Sequence, residues 1–233
     1  MNTRVKYKTN ILSPEDNELV QSLVEVNFAA SKAYDDDVVM RNTKFNYLTS
    51  SFIKKTKAKE ALKKLKRLSA SFFLAATGES SANLRCAFVN KHTRSSKGIG
   101  VHVDGYSQLG HVFAVVYSAC SHDFSGGELE YADSDSGKIH TRNICRFSPQ
   151  NNSFYAIPGS YVEHSVGKIR QGYRIGVVFF YKWSVSFPDL IRFWSLKDYQ
   201  CPLCYRMFDT RKTLNAHGKC CKKTCDYIEF KSG

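Results

Sequence analysis

The sequence predicts an α+β fold in which N-terminal helices support a mainly antiparallel jelly roll (a double-stranded β-helix), followed by a small ββα module. Two stretches before residue 80 carry apolar residues at helical spacing. Short β-rich runs separated by turn residues then fill 84–183. Five of the eight cysteines lie after residue 200. We therefore predict a main domain at 1–195, with helical support at 1–80 and a core at 81–185, and a cysteine-rich module at 196–233.

Two N-terminal helices are predicted. The first spans about 13–32, because Ser13 is a suitable N-cap and Pro14 suits the first helical position. The second spans 51–76, with an apolar stripe on one face and lysines over the remaining surface. Gly78 is a natural stop for this helix.

The spacing of apolar residues changes from helical to strand-like after the helices. Many short strands separated by turn residues predict an antiparallel sandwich or barrel, and a jelly roll is one such fold. The predicted strands are 84–90, 99–104, 111–119, 127–132, 139–145, 153–158, 161–169 and 174–183.

The net charge of +13 is unevenly distributed. Residues 1–100 carry 18 Lys/Arg against 9 Asp/Glu, residues 101–194 carry 8 against 8, and residues 195–233 carry 8 against 4. Basic flanks could bind a polyanion such as nucleic acid, and a solvated lysine-rich helix face is the equally open alternative.

The setting that we expect for the chain follows from what its sequence does not contain. No apolar run approaches the ~20 residues of a membrane span, and the N-terminus has no apolar signal-peptide core. We expect an intracellular protein, nuclear or cytoplasmic, that is not secreted, does not contact a membrane and has no structural disulfides.

A set of metal-binding residues is spread over the predicted core. His102-Val-Asp104 is followed 62 residues later by His164, and Arg174 lies ten residues beyond. Two imidazoles and one carboxylate form the ligand set of Fe(II) centres that keep positions open for a co-substrate and O₂. Arg174 begins an apolar strand, so we expect its head to point into a closed pocket, where it needs an anionic partner. The far carboxylate of a dicarboxylate fits that requirement.

The stretch from His102 to Trp183 resembles the Fe(II)/2-oxoglutarate-dependent dioxygenases, and among them the prolyl-hydroxylase-like branch. The resemblance implies that His102, Asp104 and His164 ligate Fe(II), and that Arg174 binds the C5 carboxylate of 2-oxoglutarate. It also implies hydroxylation of a C–H bond with release of succinate and CO₂, and ascorbate as the reductant. The matching segments are His102–Asp104, Phe113–Tyr117, Phe124–Tyr131, Pro158-Gly159 and His164–Arg174.

The chain departs from this family at one position. Relatives often place a Tyr on the strand before His-x-Asp to help hold 2-oxoglutarate, and residues 86–101 contain none. Tyr117, on the next strand, is the expected substitute as a cofactor-binding residue, and a plain core tyrosine is the alternative. Four histidines have no matched role and are interpreted as ordinary core or surface residues: His92, His111, His122 and His140.

The C-terminal module has the spacing of zinc ligands. Cys201-Pro-Leu-Cys204 is separated from His217 by twelve residues. We predict a structural Zn(II) site with Cys221 as the fourth ligand, with Cys220 and Cys225 as alternatives. The positions that face bases in such fingers carry no Arg, Asn or Gln, so we do not expect sequence-specific DNA reading by this finger alone.

The leading hypothesis is an oxygenase that hydroxylates a macromolecule, with a protein side chain as the favoured target. Oxidation of a base in DNA or RNA, as by TET/JBP-like enzymes, is the alternative that the basic flanks and the finger support. AlkB-type enzymes fit less well, because they carry a second Arg six residues after the first, where this chain has Phe180. A hypothesis of another class is a catalytically silent jelly roll recruited by its finger, against which the intact ligand set and Arg174 argue.

Overall fold

The computed structural model describes residues 5–26, 44–104, 111–132 and 144–183. In these ranges the chain forms helices that pack on antiparallel sheets. The helices are α1 (Pro14–Gln21), which continues as a 3-10 turn at Ser22–Glu25, α2 (Ser50–Lys54) and α3 (Lys59–Thr77). Of the helices in this part of the chain, none is long and apolar enough to span a membrane.

Six strands form the main sheet, in the spatial order β1-β9-β5-β12-β3-β2. Every pair of neighbours in this sheet is antiparallel. The strands are β1 (Lys6–Thr9), β2 (Lys44–Tyr47), β3 (Asn83–Thr93), β5 (Val112–Cys120), β9 (Ser153–Ile157) and β12 (Tyr173–Lys182). The two central strands, β5 and β12, are buried along almost their whole length because both faces of this sheet are covered.

The minor sheet has four strands in the order β4-β10-β7-β8, and β6 and β11 form a further two-stranded pair. These strands are β4 (Ile99–His102), β6 (Ser125–Gly126), β7 (Leu129–Ala132), β8 (Ile144–Phe147), β10 (His164–Val166) and β11 (Ile169–Gln171). All of these pairs are antiparallel as well. The predicted α+β class with mainly antiparallel strands is confirmed.

The main sheet lies between the helices and the minor sheet. On its outer face, Phe73 of α3 stacks on Tyr181 at 4.8 Å between ring centroids and meets Phe113 edge-on at 5.7 Å. On its inner face, Tyr155 contacts Phe147 of the minor sheet at 5.5 Å between ring centroids. Because side chains alternate along a strand, the register determines which residues point towards the helices and which towards the minor sheet.

The first helix is shorter than the sequence predicts. Ser13 caps it, with its Oγ accepting a hydrogen bond from the Asp16 amide. The α-helix ends at Gln21 rather than near residue 32, and after the 3-10 turn Val26 has an extended backbone with ψ of 132°. The predicted residues 27–32 lie outside the described part of the chain.

The second predicted helix is divided in two. A turn at residues 55–58 separates α2 from α3, and Thr49 caps α2 by accepting a hydrogen bond from the Phe52 amide. Gly78 ends α3 in the left-handed conformation, at φ 73°, which confirms the predicted stop.

The predicted core strands are confirmed except where 139–145 falls largely outside the described residues. The run at 161–169 contains the short strand β10 and the first residue of β11. The sequence did not indicate β1 or β2, four-residue strands that extend the main sheet at its two edges.

Candidate active site

The minor sheet brings together the two histidines of the predicted iron site. His102 ends β4, His164 begins β10, and the two residues are direct partners in the antiparallel register. Their ring centroids are 4.3 Å apart. Asp104 follows His102 with one residue between them, so its side chain projects towards the same interior.

The three side chains form a compact set of donor atoms. The Asp104 Oδ1 lies 3.5 Å from the His102 Nε2, and the Oδ2 lies 3.5 Å from the His164 Nε2. All three donor atoms lie within 4.8 Å of one another. This is the spacing at which three ligands can share one metal ion, and two imidazoles with a carboxylate suit Fe(II).

Backbone groups fix the orientation of both rings. The Nδ1 of His102 lies 2.8 Å from the Gly100 carbonyl oxygen, and the Nδ1 of His164 lies 2.8 Å from the Val162 carbonyl oxygen. A carbonyl accepts a hydrogen bond, so each Nδ1 carries the proton and each Nε2 keeps its lone pair for a metal.

The loop after β9 positions Asp104. Its amide donates to the Gly159 carbonyl oxygen at 2.8 Å, and its own carbonyl accepts from the Ser160 Oγ at 2.7 Å. A Cβ added at Gly159 would lie 2.0 Å from the Asp104 Oδ2, so a residue larger than glycine would displace the carboxylate. The sequence alone does not indicate a role in the site for either Gly159 or Ser160.

Asp104 is ionised in this environment. Its burial disfavours the charged form, but the charges and hydrogen bonds that His164 and His102 supply when their Nε2 atoms are protonated in the metal-free protein outweigh that effect and hold the pKa of the carboxyl well below its usual range. The site therefore presents an anion between two imidazole nitrogens, which favours a divalent cation.

Arg174 lies inside the fold, as the sequence predicts. Its side chain is among the largest that are fully buried, and the residue is 2% exposed. One terminal nitrogen, Nη1, donates to the Gly127 carbonyl oxygen at 2.9 Å, whereas Nε has no hydrogen-bond partner. A buried guanidinium with an unused N–H group is suited to bind a carboxylate that enters the interior.

Tyr155 links the two parts of the site. It is buried on the inner face of β9, and burial raises the pKa of its hydroxyl. The positive charge of Arg174 opposes this rise and the negative charge of Asp104 adds to it. Arg174 also reaches the minor sheet directly, because its partner Gly127 lies two residues before β7, and β7 pairs with the β10 strand that carries His164.

The expectation for Tyr117 is wrong. Tyr117 pairs with Val177 on β12, so both side chains lie on the same face of the sheet. Arg174, three residues before Val177, has its side chain on the opposite face. Its hydroxyl donates to the Asn17 Oδ1 at 2.6 Å and lies 3.0 Å from the Asn152 Oδ1. Tyr117 thus belongs to the contact between the sheet and α1, and the alternative of a core tyrosine is correct.

The predicted zinc ligands lie outside the described residues. This applies to Cys201, Cys204, His217 and Cys221, and to the alternative ligands Cys220 and Cys225. The domain boundary at 195/196 also lies there and stays a prediction.

Several solved structures share this fold. A prolyl hydroxylase from Trichoplax adhaerens, in complex with a hypoxia-inducible-factor peptide fragment, has a TM-score of 0.58 and 15% identity over 76% of this chain and 83% of its own. A 2OG-Fe(II) oxygenase-family oxidoreductase from Burkholderia pseudomallei has a TM-score of 0.55 and 16% identity, covering 76% of this chain and 84% of its own. A viral collagen prolyl hydroxylase from Paramecium bursaria Chlorella virus-1, in complex with 2-oxoglutarate, has a TM-score of 0.51 and 12% identity, covering 77% and 96%.

At these identities the likeness establishes a shared fold, that of the 2-oxoglutarate/Fe(II) oxygenases. No protein-family model matches the sequence, and no curated protein matches it either.

Proposed function

We propose that the protein is an Fe(II)- and 2-oxoglutarate-dependent dioxygenase that hydroxylates a C–H bond of a protein side chain. The observation that carries the proposal is the combination of a convergent His102–Asp104–His164 set with a buried Arg174 whose Nε is unpaired. The first can hold a divalent metal and the second a carboxylate. A metal ion and a 2-oxoacid that react with each other need both of these binding groups in the same interior of the protein.

Each residue has a distinct task in this reaction. His102, Asp104 and His164 would hold Fe(II) from one side, and Arg174 would bind the far carboxylate of 2-oxoglutarate. With iron and 2-oxoglutarate bound, the site supplies O₂ activation, in which one oxygen atom enters succinate and the other the substrate hydroxyl, and CO₂ is released. The buried walls around Arg174 and Tyr155 exclude water from the co-substrate.

A protein substrate is supported by the relatives in fold and by the position of the basic helix. Two of the similar structures are prolyl hydroxylases, and one of them holds a peptide. The exposed lysines lie on α3, which covers the outer face of the main sheet, whereas His164 shares the face of the minor sheet on which Phe147 contacts the inner face of the main sheet. A polyanion bound to α3 would therefore not be presented to the iron site, so this helix does not support the nucleobase alternative.

The substrate class can be tested by succinate formation with different substrate pools. The protein with Fe(II), 2-oxoglutarate, ascorbate and O₂ is given a mixed peptide pool, single-stranded DNA or RNA. We expect the peptide pool to stimulate succinate formation and expect no stimulation in Asp104→Ala protein. Stimulation by DNA or RNA alone would overturn the choice of a protein substrate.

A further inference from the structure

Four buried side-chain atoms in the described part of the chain have no hydrogen-bond partner. Such atoms are uncommon in folded proteins, and each one requires an explanation. Here they are not scattered, because their residues lie on three adjacent strands of the main sheet, β3, β12 and β5. The atoms are the Asn90 Oδ1, the His92 Nδ1, the Ser118 Oγ and the Arg174 Nε.

The register places these residues on the same face of the sheet. Arg174 of β12 lies directly opposite His92 of β3. Two residues further along β12, Gly176 lies between Asn90 on one side and Ser118 on the other. Since residues two apart share a face, all four side chains belong to the inner face, towards the minor sheet. We call Asn90, His92, Ser118 and Arg174 the polar floor.

Gly176 leaves space at the centre of the polar floor. A Cβ added there would have its nearest neighbours at 3.9 Å, the Asn90 Cβ and the Val116 Cγ1. Gly176 therefore contributes no side chain at the middle of the floor, while polar side chains surround it. Buried polar groups left unpaired around such a space are the features of a ligand site rather than of a packed core.

The chemistry of the polar floor fits a carboxylate. Arg174 supplies the cation, and a carboxylate has about four acceptor positions for hydrogen bonds. His92 is 2% exposed, and burial and the adjacent Arg174 hold its pKa well below the ordinary value of 6.5. The ring is thus neutral, with one N–H to donate, and adds no second positive charge to the pocket. The Ser118 hydroxyl can donate as well.

We propose that His92 binds the distal carboxylate of the 2-oxoacid co-substrate beside Arg174, donating from Nδ1, and that Ser118 is a third donor. This assignment rests on the proposed function and adds two binding residues to it. It accounts for three of the four unpaired atoms, because one carboxylate can accept from the Arg174 Nε, the His92 Nδ1 and the Ser118 Oγ, whereas the Asn90 Oδ1 is itself an acceptor and is not explained by this group.

The test compares two 2-oxoacids that differ at the distal end. 2-Oxopentanoate has the chain length of 2-oxoglutarate but ends in a methyl group. Dissociation constants are measured by calorimetric titration of the Fe(II)-loaded protein without O₂. The variants are His92→Leu, which removes the donor, His92→Asn, which keeps an N–H near the position of Nδ1, and Ser118→Ala. Ser69→Ala is the matched control, because the Ser69 Oγ bonds the Tyr181 hydroxyl at 2.7 Å on the outer face of the same sheet.

We expect His92→Leu to weaken 2-oxoglutarate binding about tenfold or more, as the loss of a hydrogen bond to a charged group requires. Binding of 2-oxopentanoate should stay unchanged or improve, and His92→Asn should retain most of the affinity for 2-oxoglutarate. Ser118→Ala should weaken 2-oxoglutarate binding by a smaller factor, and Ser69→Ala should leave it unchanged.

Equal weakening of both acids in His92→Leu would show a purely structural role and overturn the assignment, as would unchanged binding of 2-oxoglutarate. Failure of the unaltered protein to bind 2-oxoglutarate at all would be a different result. It would overturn the proposed co-substrate itself, together with this assignment.

Discussion

His102 and His164 are direct partners across β4 and β10, although 62 residues separate them in the sequence. The register of the minor sheet therefore sets the distance between the two imidazoles. Hydrogen bonds from each Nδ1 to a backbone carbonyl fix the rings in the same way. A site built from paired strands and backbone contacts is preorganised, so little conformational entropy opposes metal binding.

Gly159→Ala should weaken iron binding. The added methyl group would lie 2.0 Å from the Asp104 Oδ2 and must push the carboxylate away from its position between the histidines. We expect the affinity for Fe(II) to fall roughly 10- to 100-fold, the range typical for altered support of a metal ligand. The measurement is an anaerobic Fe(II) titration.

Gly167→Ala is the matched control for this variant. A Cβ there would meet the Glu128 Oε2 at 3.4 Å, an ordinary contact. Iron affinity should be unchanged in the control. An equal loss in both variants would point to general destabilisation rather than to displacement of Asp104.

Arg174→Met should separate metal binding from co-substrate binding. The change removes the charge from the interior and keeps most of the side-chain volume, whereas the triad is untouched. We expect the affinity for iron to be retained. The binding free energy of 2-oxoglutarate should become less favourable by about 3 kcal/mol or more, as is typical when one partner of a buried ion pair is removed. Loss of the rise in Tm that 2-oxoglutarate produces would report this. A rise equal to that of the unaltered protein would exclude Arg174 as the carboxylate-binding residue.

Tyr117→Phe tests the corrected position of this tyrosine. The variant loses the hydrogen bond to Asn17 and leaves the buried Asn17 Oδ1 without this donor, whereas the Asn152 Oδ1 still accepts from the Leu12 amide. The free energy of unfolding should fall by about 1–2 kcal/mol. The dissociation constant for 2-oxoglutarate should not change, because the hydroxyl faces α1. Urea unfolding measures the first quantity and titration the second, and weaker 2-oxoglutarate binding would restore Tyr117 as a binding residue.

His92 should make the metal-free protein less stable as the pH falls. Its folded-state pKa lies well below the ordinary 6.5 that applies to the unfolded chain. Below about pH 6.5 the unfolded chain therefore binds a proton that the folded protein does not, and stability declines by up to about 1.4 kcal/mol per pH unit. Above that pH the contribution is constant.

His92→Asn has no group that titrates in this window. Between about pH 6.5 and 5.5 its stability should fall by about 1 kcal/mol less than that of the unaltered protein, since every other titratable group is the same in both. Urea unfolding of the chelator-treated proteins at the two pH values gives the comparison. Parallel pH dependences would mean that His92 is not held neutral in the fold.

His102 and Asp104 could be placed from the sequence because their pattern is local, whereas His164 and Arg174 were placed by their order along the chain and by the resemblance to the dioxygenase family. His-x-Asp puts two ligands on one face by strand alternation. An Arg at the start of an apolar strand is expected to point into a closed pocket, where it needs an anionic partner. The polar floor could not be recognised in this way. A single histidine or serine in a strand has no pattern of its own, and His92 and Ser118 acquire a meaning only through the register with β12.

Tyr117 shows why the face of a fully buried strand is hard to predict. All nine residues of β5 are buried, so no alternation of polar and apolar residues marks which side is which. The orientation is set by neighbours, with Phe154 and α1 on one side and the polar floor on the other.

The length of the first helix is overestimated from the sequence for a related reason. Its apolar spacing continues beyond the point where the backbone becomes extended at Val26.

The central claim is tested most directly by measuring succinate formed from 2-oxoglutarate with Fe(II), ascorbate and O₂. The unaltered protein is compared with Asp104→Ala, Arg174→Ala and the outer-face control Ser69→Ala. We expect turnover by the unaltered and Ser69→Ala proteins, and its loss in the other two. Absence of turnover in the unaltered protein with iron bound and each substrate pool present, or equal turnover in Asp104→Ala, would contradict the assignment as an oxygenase.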